Sequence, residues 1–363
     1  MKILIDINHP AHVHLLKNLI FELKKGNNTV ILTVKEVPAA IRLLENLNLD
    51  FISLGNKVDS IKGKFVKQLQ FDLELYKIVK KYGIDYGIGS SITLSHVSRL
   101  TKMKSFILDD DDSAVQPLFA KFAFPFADFI LSPDCLSFER TGRKNVNYSG
   151  YHELAYLHPK RFEPNPQILK EVGIKDNEKF FILRFNAFKA HHDVGAQGLS
   201  LADKRKLIGL LSQHGKIFIT TEDKINPEFE QYQLNLSVEK IHSLIYYATM
   251  LIGDSQTMTS EAAVLGTPSI RSNSFVGRIA YLEEQEHKYG LTFGFLPNQT
   301  ENMLQKINKL LNIPNLKQEW QIRRQKMLSE KIDVTAFLLW FVENFPESFP
   351  LMKENPERQY SFV

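Results

Sequence analysis

Cysteine is almost absent: Cys135 is the only one in 363 residues. A lone thiol forms no internal disulfide, so nothing points to an oxidising compartment. Long apolar runs are missing too, and no segment approaches the roughly 20 residues needed to cross a bilayer. The opening Met1-Lys2-Ile3-Leu4-Ile5-Asp6 meets an acid too early for a signal-peptide core. The expectation is a soluble, cytoplasmic protein, with the inner face of the membrane as its outer limit. Charge excess is also lacking: 45 Lys+Arg against 41 Asp+Glu leave +4, with no basic run long enough for a nucleic-acid arm. Nucleic acid is therefore not an expected partner. Neither low-complexity tracts nor short-period repeats occur. What is present is ordinary globular material, 44% hydrophobic and 24% charged. At roughly 150 residues per domain, the length suggests about two domains.

The chain alternates strand and helix patterns. Residues 2–7 are a continuous apolar run, as in a strand buried on both faces. In residues 14–25, Leu15, Leu16, Leu19, Ile20 and Leu23 share one helical face, and Gly26 ends the helix. Further strands are predicted at 29–34, 51–54, 85–88, 105–108 and 128–132, with helices at 38–47, 65–82, 93–102 and 114–124 between them. Repeated βα units require crossovers, hence a mainly parallel sheet covered by helices. Three prolines in residues 158–166 break the pattern and read as an interdomain linker. The alternation then restarts, with strands predicted at 179–185, 216–221, 250–253 and 268–271, and helices at 202–213, 238–248 and 257–265. We divide the chain into an N-terminal Rossmann-like domain (1–160), a second Rossmann-like domain (161–335), and a C-terminal helix and tail (336–363) packing back across the hinge. Open α/β sheets bind ligands at the carboxyl ends of their strands.

The strongest local signal is Met250-Leu-Ile-Gly-Asp254-Ser255-Gln256-Thr257-Met258-Thr259-Ser260-Glu261-Ala-Ala-Val-Leu265-Gly266-Thr-Pro268. An apolar strand runs into small hydroxyl residues that open a helix, and Gly266 closes it. A helix start has about four unpaired N–H groups and a partial positive charge, so it is a ready anion site. Ser255, Thr257 and Thr259 add hydroxyl donors, and a diphosphate fits this chemistry. Glu261, a turn further in, is placed to accept from a pair of sugar hydroxyls. The plain alternative is an ordinary capped helix with Glu261 in water. The segment resembles the nucleotide-sugar loop of the UDP-N-acetylglucosamine 2-epimerases, matching at Asp254, Ser255, Glu261, Ala262, Leu265, Gly266 and Pro268. Gln256 and Thr257 stand where that family has glycines. The resemblance implies an α/β fold of the GT-B kind: two doubly wound Rossmann-like domains facing across a cleft.

Asp6-Ile-Asn-His9-Pro-Ala-His12-Val-His14 falls where the first strand turns into the first helix. Three histidines suggest metal, but His12 and His14 diverge on a helix and zinc sites gather three or four ligands. Packing is the plain role; proton transfer near pH 7 is the functional one. His12-Val13 is similar to the pair in the opening loop of the N-acetylglucosaminyltransferase that completes lipid II. Together with Gly150-Tyr151-His152-Glu153-Leu154-Ala155-Tyr156-Leu157, the opening resembles a family of predicted archaeal and bacterial glycosyltransferases, a domain of unknown function. Leu108-Asp109-Asp110-Asp111-Asp112-Ser113 is read as an acidic loop without metal rather than as an Asp-x-Asp cation clamp. Arg184, Lys189 and His191 follow the first strand of the second domain, where GT-B enzymes place basic residues on a diphosphate. Pro117 to Phe126, with four phenylalanines, is expected to be helix core, or else an apolar patch against a lipid-linked acceptor or membrane.

The expectation is thus a metal- and cofactor-independent glycosyltransferase. It would move a sugar from a nucleotide-diphosphate donor to a glycan or lipid-linked acceptor in polysaccharide assembly. His12, Asp110 and Asp111 are the catalytic candidates. Arg184, Lys189, His191, Ser255, Gln256, Thr257 and Glu261 are the candidates for the donor. Peripheral membrane contact and a homodimer are further candidate associations. The alternative is a nucleotide-sugar 2-epimerase or hydrolase, for which Asp110, Asp111, Glu153 and His191 would supply acids and a base.

Overall fold

The computed structural model describes residues 1–56, 61–185, 197–221 and 224–363. It divides into two compact units, Met1–Arg161 with Lys331–Val363, and Phe162–Glu330. Among the described residues no helix is long and apolar enough to cross a membrane.

The first unit holds strands β1 (Lys2–Ile7), β2 (Thr29–Glu36), β3 (Ile52–Asn56), β4 (Tyr86–Gly89), β5 (Lys104–Leu108), β6 (Phe129–Pro133) and β7 (Asn145–Tyr148). All are parallel, in the order β3-β2-β1-β4-β5-β6-β7. The chain starts in mid-sheet, winds outward through β2 and β3, and returns to β4 on the other side of β1. The β1–β4 junction is therefore the topological switch point. Helices cover both faces, so β1 is largely apolar: Ile3, Leu4, Ile5 and Ile7 have no solvent exposure, each such burial stabilising by about 1.5–3 kcal/mol, and the buried Asp6 accepts from Thr33 Oγ1 at 2.7 Å. β7, Asn-Val-Asn-Tyr, escapes sequence reading because asparagine disfavours strands and the run is only four residues long.

The Phe-rich stretch departs from expectation. Its helix begins at Pro117 and ends at Ala123, after a turn in which Val115 and Gln116 donate to the Asp112 carbonyl. Proline suits the first helical position, where no amide donor is needed. Phe119 and Phe124 pack on the core with Leu94 and Met103, but Phe122 and Phe126 remain 44% and 41% exposed. A two-turn helix on a sheet face buries only one side.

The second unit holds β8 (Phe180–Phe185), β9 (Lys216–Thr221), β10 (Met250–Gly253), β11 (Ser269–Ser272) and β12 (Thr292–Phe295), again all parallel, ordered β12-β11-β10-β8-β9. Its switch point lies between β8 and β10. The edge strand β12, Thr-Phe-Gly-Phe, is the other strand missed in sequence, its glycine interrupting the apolar pattern.

Candidate functional site

In the first unit the carboxyl ends of the strands carry most of the polar residues singled out in the sequence. After β1, Asn8 Nδ2 donates to the Ser90 carbonyl beyond β4 at 3.0 Å, tying the switch point together. His9 caps the Pro10–Lys25 helix by accepting from the Ala11 amide at 3.2 Å. His12 Nδ1 accepts from the Asn8 amide at 3.3 Å. A neutral imidazole has one donor and one acceptor nitrogen, so this bond places the His12 proton on Nε2. His14 turns inward, its ring 5.4 Å from that of Tyr156.

The four-aspartate loop after β5 is pinned by a buried arginine. Arg140 meets the Asp109 carboxylate at 2.5 Å and also donates to Ser113 Oγ, the Asp111 carbonyl and Glu139. Burial nevertheless pushes the Asp109 carboxyl up to about 7, with Arg140 opposing. Burial, reinforced by Asp110 and Asp109, holds Asp111 well above the ordinary carboxyl range, and the Gln116 amide donates to it. Asp110 engages His152 Nδ1 at 3.0 Å. Burial works to lower the His152 pKa, but Asp110 first, then Glu153 and Asp109, carry it above its ordinary value. With Nδ1–H bound to a carboxylate, Nε2 carries the lone pair in the neutral ring, and it finds no hydrogen-bond partner among the described residues. Tyr148, fully buried at the end of β7, also leaves its hydroxyl without a partner. Asp110 and Asp111 thus belong to one cluster with His152 and Asp109. In the sequence His152 stands out only within the 150–157 motif, and Arg140 has no local signature that marks it. Among the described residues no three His, Cys, Asp or Glu side chains are gathered as metal ligands.

The second unit presents the other constellation. Strands β8 and β10 run so close that a Cβ on Gly253 would sit 2.0 Å from the Arg184 carbonyl oxygen. The Asp254 amide donates to that same oxygen at 3.1 Å, and Asn273 Nδ2 holds the Asp254 carbonyl at 2.9 Å. Ser255 then caps the Gln256–Leu265 helix, its Oγ accepting from the Met258 amide. The amides of Gln256 and Thr257 lie ahead of that bond, in the half-exposed first turn. Thr259 corrects an expectation: it is fully buried and donates to the Ser255 carbonyl at 2.6 Å, so it offers nothing outward. Glu261 is buried, and its carboxylate meets His242 Nε2 at 2.9 Å. Gly266 closes the helix in the left-handed conformation at φ 69°. Arg184, at the end of β8, donates to Thr220 Oγ1 at 3.4 Å. Lys189 and His191 lie outside the described residues. Arg271 is buried but neutralised by Glu283 at 2.7 Å and Glu286 at 3.4 Å.

Two parallel, doubly wound Rossmann-like units in one chain place the protein in the GT-B class of fold. It belongs to the family described as "Protein of unknown function (DUF354)", whose profile matches residues 1–288. Uncharacterized protein MJ0665 of Methanocaldococcus jannaschii is 23% identical over 301 residues, spanning 78% of this chain and 85% of that one. The UDP-GlcNAc 2-epimerase from Neisseria meningitidis, in a structure bound to UDP-GlcNAc, superposes with a TM-score of 0.61 at 13% identity, covering 90% of this chain and all of that one. Spinosyn rhamnosyltransferase SpnG, complexed with spinosyn aglycone, gives 0.63 at 11% identity over 95% of this chain and all of that one. At such identities these structures establish a shared fold.

Proposed function

We propose that the protein is a glycosyltransferase that takes a sugar from a nucleotide-diphosphate donor and passes it to a glycan or lipid-linked acceptor. One observation carries this reading: at the switch point of the second sheet, a helix opens on Ser255, Gln256 and Thr257 with a buried carboxylate, Glu261, one turn behind. The helix start and Arg184 would hold the diphosphate and stabilise the charge that develops as it leaves; Lys189 and His191 are proposed for the same ligand. Glu261 would accept from the ribose hydroxyls. In the first unit the acceptor hydroxyl needs a base. His12 and His152 are the two candidates, and the fixed Nδ1–H to Asp110 bond favours His152, with His12 presenting Nε2–H as a donor. The step is direct displacement at the anomeric carbon: the acceptor oxygen bonds to carbon, the diphosphate departs with the electron pair, and the base takes the hydroxyl proton. No metal step is invoked.

The raised carboxyls favour a second reading. Burial lifts Asp109 to about 7 and holds Asp111 well above the ordinary carboxyl range, which suits acid catalysis on a sugar ring by an epimerase or hydrolase acting without an acceptor. Incubation with UDP-N-acetylglucosamine alone separates the two. A transferase binds the nucleotide sugar, raising the melting temperature, without turning it over. Release of UDP or epimer with no acceptor present would replace the first reading with the second.

A further inference from the structure

The long helix Ile61–Tyr82 is apolar on two sides. Phe71, Leu75 and Val79 face the core, whereas Val66, Leu69 and Leu73 form an outward stripe, Leu73 being 60% exposed. Next to it stand Leu118, Phe122 and Phe126, all exposed. These two groups are one surface, because His96 of the Ile92–Leu100 helix joins them. Its Nδ1 meets Asp72 at 2.7 Å, its Nε2 donates to the Phe122 carbonyl at 3.1 Å, and its ring lies edge-on to Phe126 at 5.1 Å. Both partners accept hydrogen bonds, so both ring nitrogens carry protons and the imidazolium neutralises the Asp72 carboxylate.

Basic side chains predominate around the patch, and the exposed acid beside Leu73, Glu74, is paired with Lys77 at 2.7 Å. Arg99 reaches the Phe126 and Ala127 carbonyls, Lys144 the Phe124 carbonyl, and Lys121 lies over the Phe122 ring at 5.9 Å. Lys104, half in water, completes the group. The nearby acids Asp72 and Asp128 are recessed, each already held by a cation. Monomer surfaces rarely present adjoining large apolar side chains without a partner. Exposed Leu and Phe side chains flanked by Lys and Arg suit an anionic bilayer surface, whose headgroups meet the cations while the layer beneath takes up the apolar side chains.

We propose that this face of the first unit docks on an anionic lipid bilayer, with Leu69, Leu73, Phe122 and Phe126 entering the headgroup layer and the surrounding cations meeting lipid phosphates. This inference stands apart from the nucleotide-sugar reading and survives its failure. The test is co-sedimentation of the full chain with vesicles of phosphatidylcholine alone or mixed equally with phosphatidylglycerol. Binding is expected to the mixed vesicles, to weaken as salt is raised, and to fall at least tenfold in the double variant Leu73→Gln, Phe122→Ser. The double variant Lys104→Glu, Lys121→Glu is expected to lose binding to mixed vesicles specifically. All four positions are solvent-facing, so unchanged thermal melting is the check on folding, with Leu69→Gln, Phe126→Ser as the second pair should the first melt early. Absence of binding to mixed vesicles, or equal binding by wild type and a folded apolar variant, overturns the proposal. So does a concentration-dependent dimer that the same substitutions dissolve while vesicle binding is absent.

Discussion

Replacing Glu261 by glutamine changes one oxygen to an NH2 group inside a buried pair, and the structure separates what this does to stability from what it does to binding. Glu261 and His242 are 6% and 3% exposed and 2.9 Å apart. Glutamine keeps the side-chain volume and an oxygen that still accepts from His242, so folding loses only the charge-assisted part of one bond, about 1 kcal/mol. Alanine instead strands the imidazole and leaves a hole, at about 2–4 kcal/mol. Ribose hydroxyls are donors, and a carboxylate accepts from them where an amide NH2 cannot. A hydrogen bond to a charged group contributes about 1.5–3 kcal/mol, and 1.4 kcal/mol is tenfold in affinity. Glu261→Gln should therefore weaken UDP by about ten- to one-hundredfold while barely moving the urea midpoint. Calorimetric titration with UDP and with its 2′,3′-dideoxy analogue reads this directly, since wild type and variant should converge on the dideoxy ligand. A well-folded glutamine variant that binds UDP as tightly as wild type would remove Glu261 from the donor site.

Gly253→Ala drives a methyl group to 2.0 Å from the Arg184 carbonyl oxygen, against backbone that has no rotamer to yield. A loss near the upper end of the overpacking range, about 3 kcal/mol in a urea melt, is expected together with weaker UDP binding; wild-type melting would show that the strands separate freely. The raised pKa of His152 means that the folded state holds the imidazolium proton more tightly than the unfolded chain. Its stabilisation is complete below the ordinary value of 6.5 and is lost as pH rises through the higher folded value. Asp109 acts with the same sign lower down, its contribution fading as pH rises from 3.8 through about 7. Asp110→Asn should bring the His152 titration down and flatten the alkaline part of the stability curve. An NMR titration placing His152 at or below 6.5 in the native protein would refute the dyad.

The sequence carried the alternation of strands and helices because buried parallel strands must be continuously apolar and crossover helices must be amphipathic, patterns that need only local reading. It carried the Gln256–Leu265 helix for a similar reason: Gly253, Ser255 and Gly266 sit within fourteen consecutive residues, and each has a local conformational role. Residues 110 and 152 are 42 positions apart, and no periodicity links them. Their meeting at 3.0 Å follows from the order of β5, β6 and β7, which brings two strand ends to one edge. Arg140 likewise acquires its role only where the chain places it under the aspartate loop. The proton inventory of that cluster was beyond reach as well, since burial sets it and burial is a property of packing. Pattern along the chain fixed which segments are strands and helices; three-dimensional proximity decided which side chains share a site, because electrostatic coupling depends on distance through space and not on separation in sequence.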